Sequence, residues 1–127
     1  AEVDSFGTRR YYNSANQLHS DAGPAVVWHN GDEEWYQNGL RHCDVGPAVV
    51  DAKGASAWYQ NGLLHCDVGP AVVWPDHVNE WWINGVRHRI NGPAVEWPDG
   101  SVEWWVDGVN YTERDYYLQL KALGFNT

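Results

Sequence analysis

The sequence predicts an all-β fold: an elongated, twisted antiparallel meander of 23-residue β-hairpin repeats, finished by a short C-terminal capping helix. Three observations predict it. A Gly-Pro pair recurs at Gly23-Pro24, Gly46-Pro47, Gly69-Pro70 and Gly92-Pro93 with no insertion or deletion between copies. His19, His42, His65 and His88 keep the same step, as do Trp35, Trp58, Trp81 and Trp104. Each Trp is followed by a turn pair, at Asn38-Gly39, Asn61-Gly62, Asn84-Gly85 and Asp107-Gly108. Asn-Gly or Asp-Gly between strand formers marks a hairpin, because a type I′ turn needs positive φ at both central residues. A fixed period of this length is the mark of a repeat array.

The elements follow in chain order. Residues 1–127 form a single repeat domain, with 1–11 as a lead-in and 12–34 as a degenerate first repeat in which Ser14-Ala15-Asn16 replaces the later turn. Residues 35–57, 58–80 and 81–103 are full repeats and 104–111 a partial one. Within a unit, an aromatic segment such as Glu34-Trp35-Tyr36-Gln37 favours a strand. Ala25-Val26-Val27-Trp28 and its copies read as short strands after Gly-Pro, a place where proline is tolerated. A second turn, at Asn30-Gly31, Lys53-Gly54 and Asp99-Gly100, leads back to the next Trp strand. Each unit is thus two strands and two turns, touching only its neighbours. Residues 112–124 read as a helix: Thr112 caps it with Asp115 three residues on, and Gly124 stops it. Tyr116, Leu120 and Leu123 recur at helical spacing, so this helix is expected to fold over the last strand and protect its edge.

Charge excludes several function classes. Lys and Arg total 8 against 17 Asp and Glu, a formal net charge of −9. Direct nucleic-acid binding needs a basic footprint, and anionic membranes attract the same sign. The longest apolar stretch, Pro24 to Trp28, is far below the ~20 residues that span a bilayer. The opening AEVDSFGTRR has no apolar core, so no uncleaved secretory signal is expected and the chain reads as cytoplasmic. The 9 Trp and 7 Tyr stand where an aliphatic core would normally be.

Alternation along a strand sends neighbouring side chains to opposite faces. Val26, Val49, Val72 and Val95 face one way, and Val27, Val50, Val73 and Glu96 the other. Trp35, Trp58, Trp81 and Trp104 share one face, while Tyr36, Tyr59, Trp82 and Trp105 form a second row. Glu34, Glu80 and Glu103 lie on the face of that second row, and Trp28, Trp74 and Trp97 occupy one repeat position. Two readings stand. Either the rings pack on one another as framework, or part of the second row is exposed for binding. The second makes Trp28, Glu34, Tyr36, Tyr59, Trp74, Glu80, Trp82, Glu96, Trp97, Glu103 and Trp105 the candidate partner-binding residues, since Trp and Tyr give large contact area at low entropic cost. An acidic, aromatic ribbon suits a partner protein with a basic, partly apolar surface.

Catalysis and metal binding are not expected. His42-Cys43-Asp44 and His65-Cys66-Asp67 look like paired ligand sets. Two strands per unit, however, would separate them by about 10 Å, too far for a disulfide and awkward for one zinc. The repeated His is instead expected to tie one turn to the next by hydrogen bonds. No G-x-S-x-G context and no Gly-rich phosphate loop occurs, so no cofactor is expected either.

The order N-G-x-x-H, then Gly, a short strand and a turn Gly, on this period, resembles the MORN repeat over residues 12–110. MORN units place Gly directly after the His, where this chain has Cys43, Cys66 and Arg89, and its Gly-Pro-Ala-Val block looks like the variant found in bacteriophage, giant-virus and bacterial proteins. The resemblance implies a hairpin array that binds other proteins, sometimes dimerises, and has no catalytic residues. The function expected is therefore a non-catalytic protein-binding module: a small acidic phage or bacterial inhibitor that occludes its target, in the sharpest form by mimicking nucleic acid. The alternative is a carbohydrate- or choline-binding protein, because the W-Y-x-N-G cadence resembles choline-binding cell-wall repeats and aromatic faces attract cations.

Overall fold

The structure, a computed structural model, describes residues 1–125. Eleven short strands form one long, open antiparallel meander, each hydrogen-bonded to the next along the chain. Each repeat gives this sheet two strands, such as Val26–Val27 and Glu33–Glu34, which then pairs with Val49–Val50 of the following unit. A separate two-stranded hairpin stands off between them, built from Tyr36–Gln37 and Leu40–Arg41. Tyr59–Gln60 with Leu63–Leu64, and Trp82–Ile83 with Val86–Arg87, repeat it.

A unit thus has four short strands where the sequence pattern suggests two longer ones, because the aromatic strand breaks at its Trp. The Trp35 N–H donates to the Ala48 carbonyl of the next unit at 2.6 Å, while the Trp35 carbonyl accepts from His42 N–H in its own hairpin at 3.1 Å. The chain changes partners at that one residue. Trp58 and Trp81 do the same toward Ala71 and Ala94, at 2.6 and 2.7 Å. The alanines at this junction, Ala25, Ala48, Ala71 and Ala94, are completely buried. At Trp104 no further repeat competes, and there the strand runs unbroken over Val102–Val106, paired with Val109–Tyr111.

Turn chemistry follows the residues. Asn38 and Gly39 have φ of 51° and 83°, as a type I′ turn requires, and the three later Asn-Gly or Asp-Gly pairs match them. The second turn is a three-residue loop: Trp28 N–H donates to Asp32 O at 2.8 Å, with Gly31 at φ 96°. Gly54 and Gly100 take the same left-handed place, but the third repeat puts His77 there at φ 70°. The histidines tie turn to turn. Asn38 N–H donates to His19 Nδ1 at 3.1 Å, and Asn61, Asn84 and Asp107 do likewise to His42, His65 and His88. With Nδ1 accepting, the ring proton sits on Nε2, where His42 donates to Asp44 and His65 to Asp67, each at 2.9 Å.

The helix spans Glu113–Ala122, with Thr112 Oγ1 accepting from Asp115 N–H at 3.2 Å. Tyr116 and Leu120 are buried against Val106, with Trp104 and Tyr111 at the edge of the cluster. Leu123, placed by its spacing with these two, is exposed at the C-cap instead. The helix therefore packs on a face of the last hairpin. The Tyr116 hydroxyl donates to the Arg89 carbonyl at 2.7 Å and accepts from Gly92 N–H at 3.2 Å, which fastens the cap to the preceding loop. Among the described residues no helix is long and apolar enough to cross a membrane.

Left-handed backbone costs a residue with a Cβ about 1 kcal/mol relative to glycine. His77→Gly should accordingly raise stability by about that amount in urea denaturation. An unchanged or lower midpoint would contradict the strain at this turn.

Candidate functional site

Cross-strand register defines the faces of the main sheet. Arg10, Val26, Glu34, Val49, Ala57, Val72, Glu80, Val95 and Glu103 are successive partners in one row, so their side chains share a face. Trp28 lies two residues beyond Val26, and Tyr36 two beyond Glu34. Both come to the same side.

There they meet around a carboxylate. Glu34 accepts from Trp28 Nε1–H at 2.5 Å, from the Tyr36 hydroxyl at 2.8 Å and from Arg41 Nη2 at 3.1 Å. Glu80 repeats the motif with Trp74 at 2.6 Å, Trp82 at 3.0 Å and Arg87 at 3.2 Å. Each Glu is only 9% exposed. These acids are internal anchors for the aromatic row, where the charge pattern alone suggested surface groups. Glu103 is half-buried and accepts from Trp105 Nε1–H at 2.8 Å. The arginines also stack: Arg10 lies over Trp28 and Arg41 over Tyr59, both at 5.4 Å, and Arg87 sits 5.2 Å from both Trp82 and Trp105.

One copy of the set, which spans a repeat boundary, shows why it belongs together. Asp51, Ala57 and Leu64 stand 23 residues on from Trp28, Glu34 and Arg41, so acid, arginine and tryptophan are absent there as a group. A buried carboxylate is tolerated when its partners are present, and removing one member strands the others. Arg41 and Arg87 escaped the sequence reading. The available signal was Leu64 at the Arg41 position in the copy whose acid is replaced by Ala57.

Burial pushes the Glu34 carboxyl up, but hydrogen bonds from Trp28 and Tyr36 and the Arg41 charge outweigh it, holding it below the ordinary value of 4.5. Burial, and then the adjacent Glu34, raise the Tyr36 hydroxyl, which stays protonated as the donor.

The candidate residues mostly assemble. Trp28, Glu34 and Tyr36 form one cluster, Tyr59 joins it through Arg41, and Trp74, Glu80, Trp82 and Trp105 form a second with Glu103 beside it. Glu96 does not join them. Its register partners are Asn79 and Val102, so it points to the opposite face, 3.6 Å from Arg89 Nη1. Between Trp74 and Trp97 lies an open cavity of about 520 Å³, lined also by Pro75, Val95, Glu80 and Arg87. Trp74 is 46% exposed there.

No family model and no curated protein matches this chain.

Two outcomes follow from the Glu34 cluster. Glu34→Ala should cost about 2 kcal/mol, and Arg41→Leu added to it should cost less than the two single changes summed, by about 1 kcal/mol. Additive costs in denaturant would dissolve the cluster. A depressed carboxyl contributes stability that is complete above its unfolded value and lost as pH falls through the lower folded one. The native protein should therefore lose stability below pH 4.5 more steeply than Glu34→Gln does; parallel pH profiles would refute the assignment.

Proposed function

We propose that this chain is a non-catalytic, MORN-like protein-binding module whose aromatic face docks a partner protein. One observation carries the reading. Trp74 and Trp97 line one open groove together with Val95, Glu80 and Arg87. Trp74 is held by its indole bond to a buried carboxylate, so it offers a large apolar surface with little entropy left to lose. Trp82, although in the same row, is engaged by Glu80 and Arg87 and serves as support for that groove.

A partner with a basic, partly apolar surface suits a chain of net charge −9 with Asp76 in the groove lining. Occlusion of a target by a small acidic phage or bacterial protein belongs to this reading, and so does a cytoplasmic setting, which the free thiols of Cys43 and Cys66 favour. Mimicry of nucleic acid rests on the exposed Asp21, Asp44 and Asp67, repeated along one edge; the buried Glu34 and Glu80 add nothing to it. Self-association through the same groove is an outcome that the mass in solution would reveal.

A second reading, carbohydrate binding, is favoured by the two indoles and the Asp76 carboxylate that line one groove, a pairing suited to a sugar ring. Choline fits less well, because Arg87 already covers the faces of Trp82 and Trp105. Capture from a bacterial lysate, with a glycan array alongside, separates the two. Trp74→Ala should weaken partner capture at least tenfold, about 1.4 kcal/mol, while the β-sheet signal stays intact. Capture unaffected by this change would remove the groove from the function. A glycan signal lost in the variant would favour the sugar.

A further inference from the structure

The sheet has a second side, and one repeat there shows how it can be filled. Arg89 lies on the face of Trp81, its guanidinium carbon 3.8 Å from the ring centroid. Arg89 Nη1 donates to the Pro93 carbonyl at 2.9 Å and lies 3.6 Å from Glu96, and Nε donates to Asn91 at 3.1 Å. Nothing in the repeat pattern demands an arginine here, because Cys43 and Cys66 hold the same position in the two preceding units.

The equivalent place beside Trp35 is open. A cavity of about 610 Å³ is lined by Trp35, Leu40, Cys43, Val45 and the carboxylates of Asp21 and Asp44. Its counterpart beside Trp81 measures about 400 Å³ and has Arg89 in its wall. The loop keeps Pro47 where Pro93 accepts from Arg89, and Asp21 and Asp44 supply the negative charge that Glu96 supplies in the later unit. Each Asp carboxylate has one oxygen on a histidine Nε2, His19 or His42, and most of its surface open to solvent. At the rim, Val45 is 92% exposed. An indole face beside two carboxylates favours a planar cation with apolar neighbours, and a guanidinium matches better than an ammonium because it can stack and hydrogen-bond at once.

We propose that the groove over Trp35 is a docking slot for an arginine side chain of a partner protein, flanked by apolar residues, with the contact of Arg89 on Trp81 as its internal template. This slot lies on the opposite side of the sheet from the Trp74 groove and does not depend on it.

The test uses the full chain, ¹⁵N-labelled, titrated with the peptide acetyl-Leu-Arg-Leu-amide and with the same peptide carrying citrulline, which keeps the planar shape but not the charge. The Trp35 indole N–H resonance should shift and saturate with the arginine peptide, and the citrulline peptide should bind at least tenfold more weakly. Cys43→Arg, which installs the residue that Arg89 supplies in the repeat 81–103, should reduce binding of the arginine peptide at least tenfold. Equal shifts from both peptides, or no shift at Trp35, would overturn the slot, and this comparison needs no variant to fold. Shifts confined to Trp74 and Trp97 would also overturn it, while leaving the proposed function of that groove standing.

Discussion

The change of hydrogen-bond partner at one tryptophan per repeat governs the architecture. The N–H of Trp35 belongs to the next unit and its carbonyl to its own hairpin. A straight strand would keep both groups on one partner and build a broad, flat ladder. The switch lets the chain contribute two residues to a common sheet, leave it for a hairpin, and return. The bond from Trp35 reaches Ala48, a residue with no exposed surface. Removing the competitor restores continuity, as Val102–Val106 shows at the end of the array.

On this frame the aromatic side chains do the work that an aliphatic core does elsewhere, but with polar supports. Indoles and a phenol converge on Glu34 and Glu80, and arginines close each set from the next strand. Such clusters specify geometry more than they add stability, since a buried charge recovers its desolvation cost only when every partner is in place. The copy with Asp51, Ala57 and Leu64 dispenses with tryptophan, acid and arginine together and keeps the same backbone.

Much of this was legible in the sequence because it is local. Asn38-Gly39 announces its turn, Thr112 and Gly124 bound their helix, and the spacing of His42 before Asn61 implies a link between turns that the structure makes at 3.0 Å. The break at Trp35 was not legible, since it depends on a carbonyl thirteen residues away, at Ala48, competing for one N–H. The candidate face was legible in its membership but not in its chemistry. Glu34 reads as a surface charge until Arg41, on the returning strand of the hairpin, is placed against it. Glu96 shows the limit of counting residues: grouping it with the second row ignored the alternation that already sets it opposite Val95.

Among the described residues, the bonds that join units run from one to the next and no further: Trp to the following Ala, turn N–H to the preceding His, turn Gly to the preceding hairpin. The molecule is therefore built like a ruler with interchangeable gradations. A whole 23-residue segment could be gained or lost between Pro47 and Pro70 with every junction re-formed, because each boundary presents the same donors and acceptors as the one before it. Duplication within the gene would then lengthen the surface in steps of about 10 Å, two strand spacings, without redesigning either terminus.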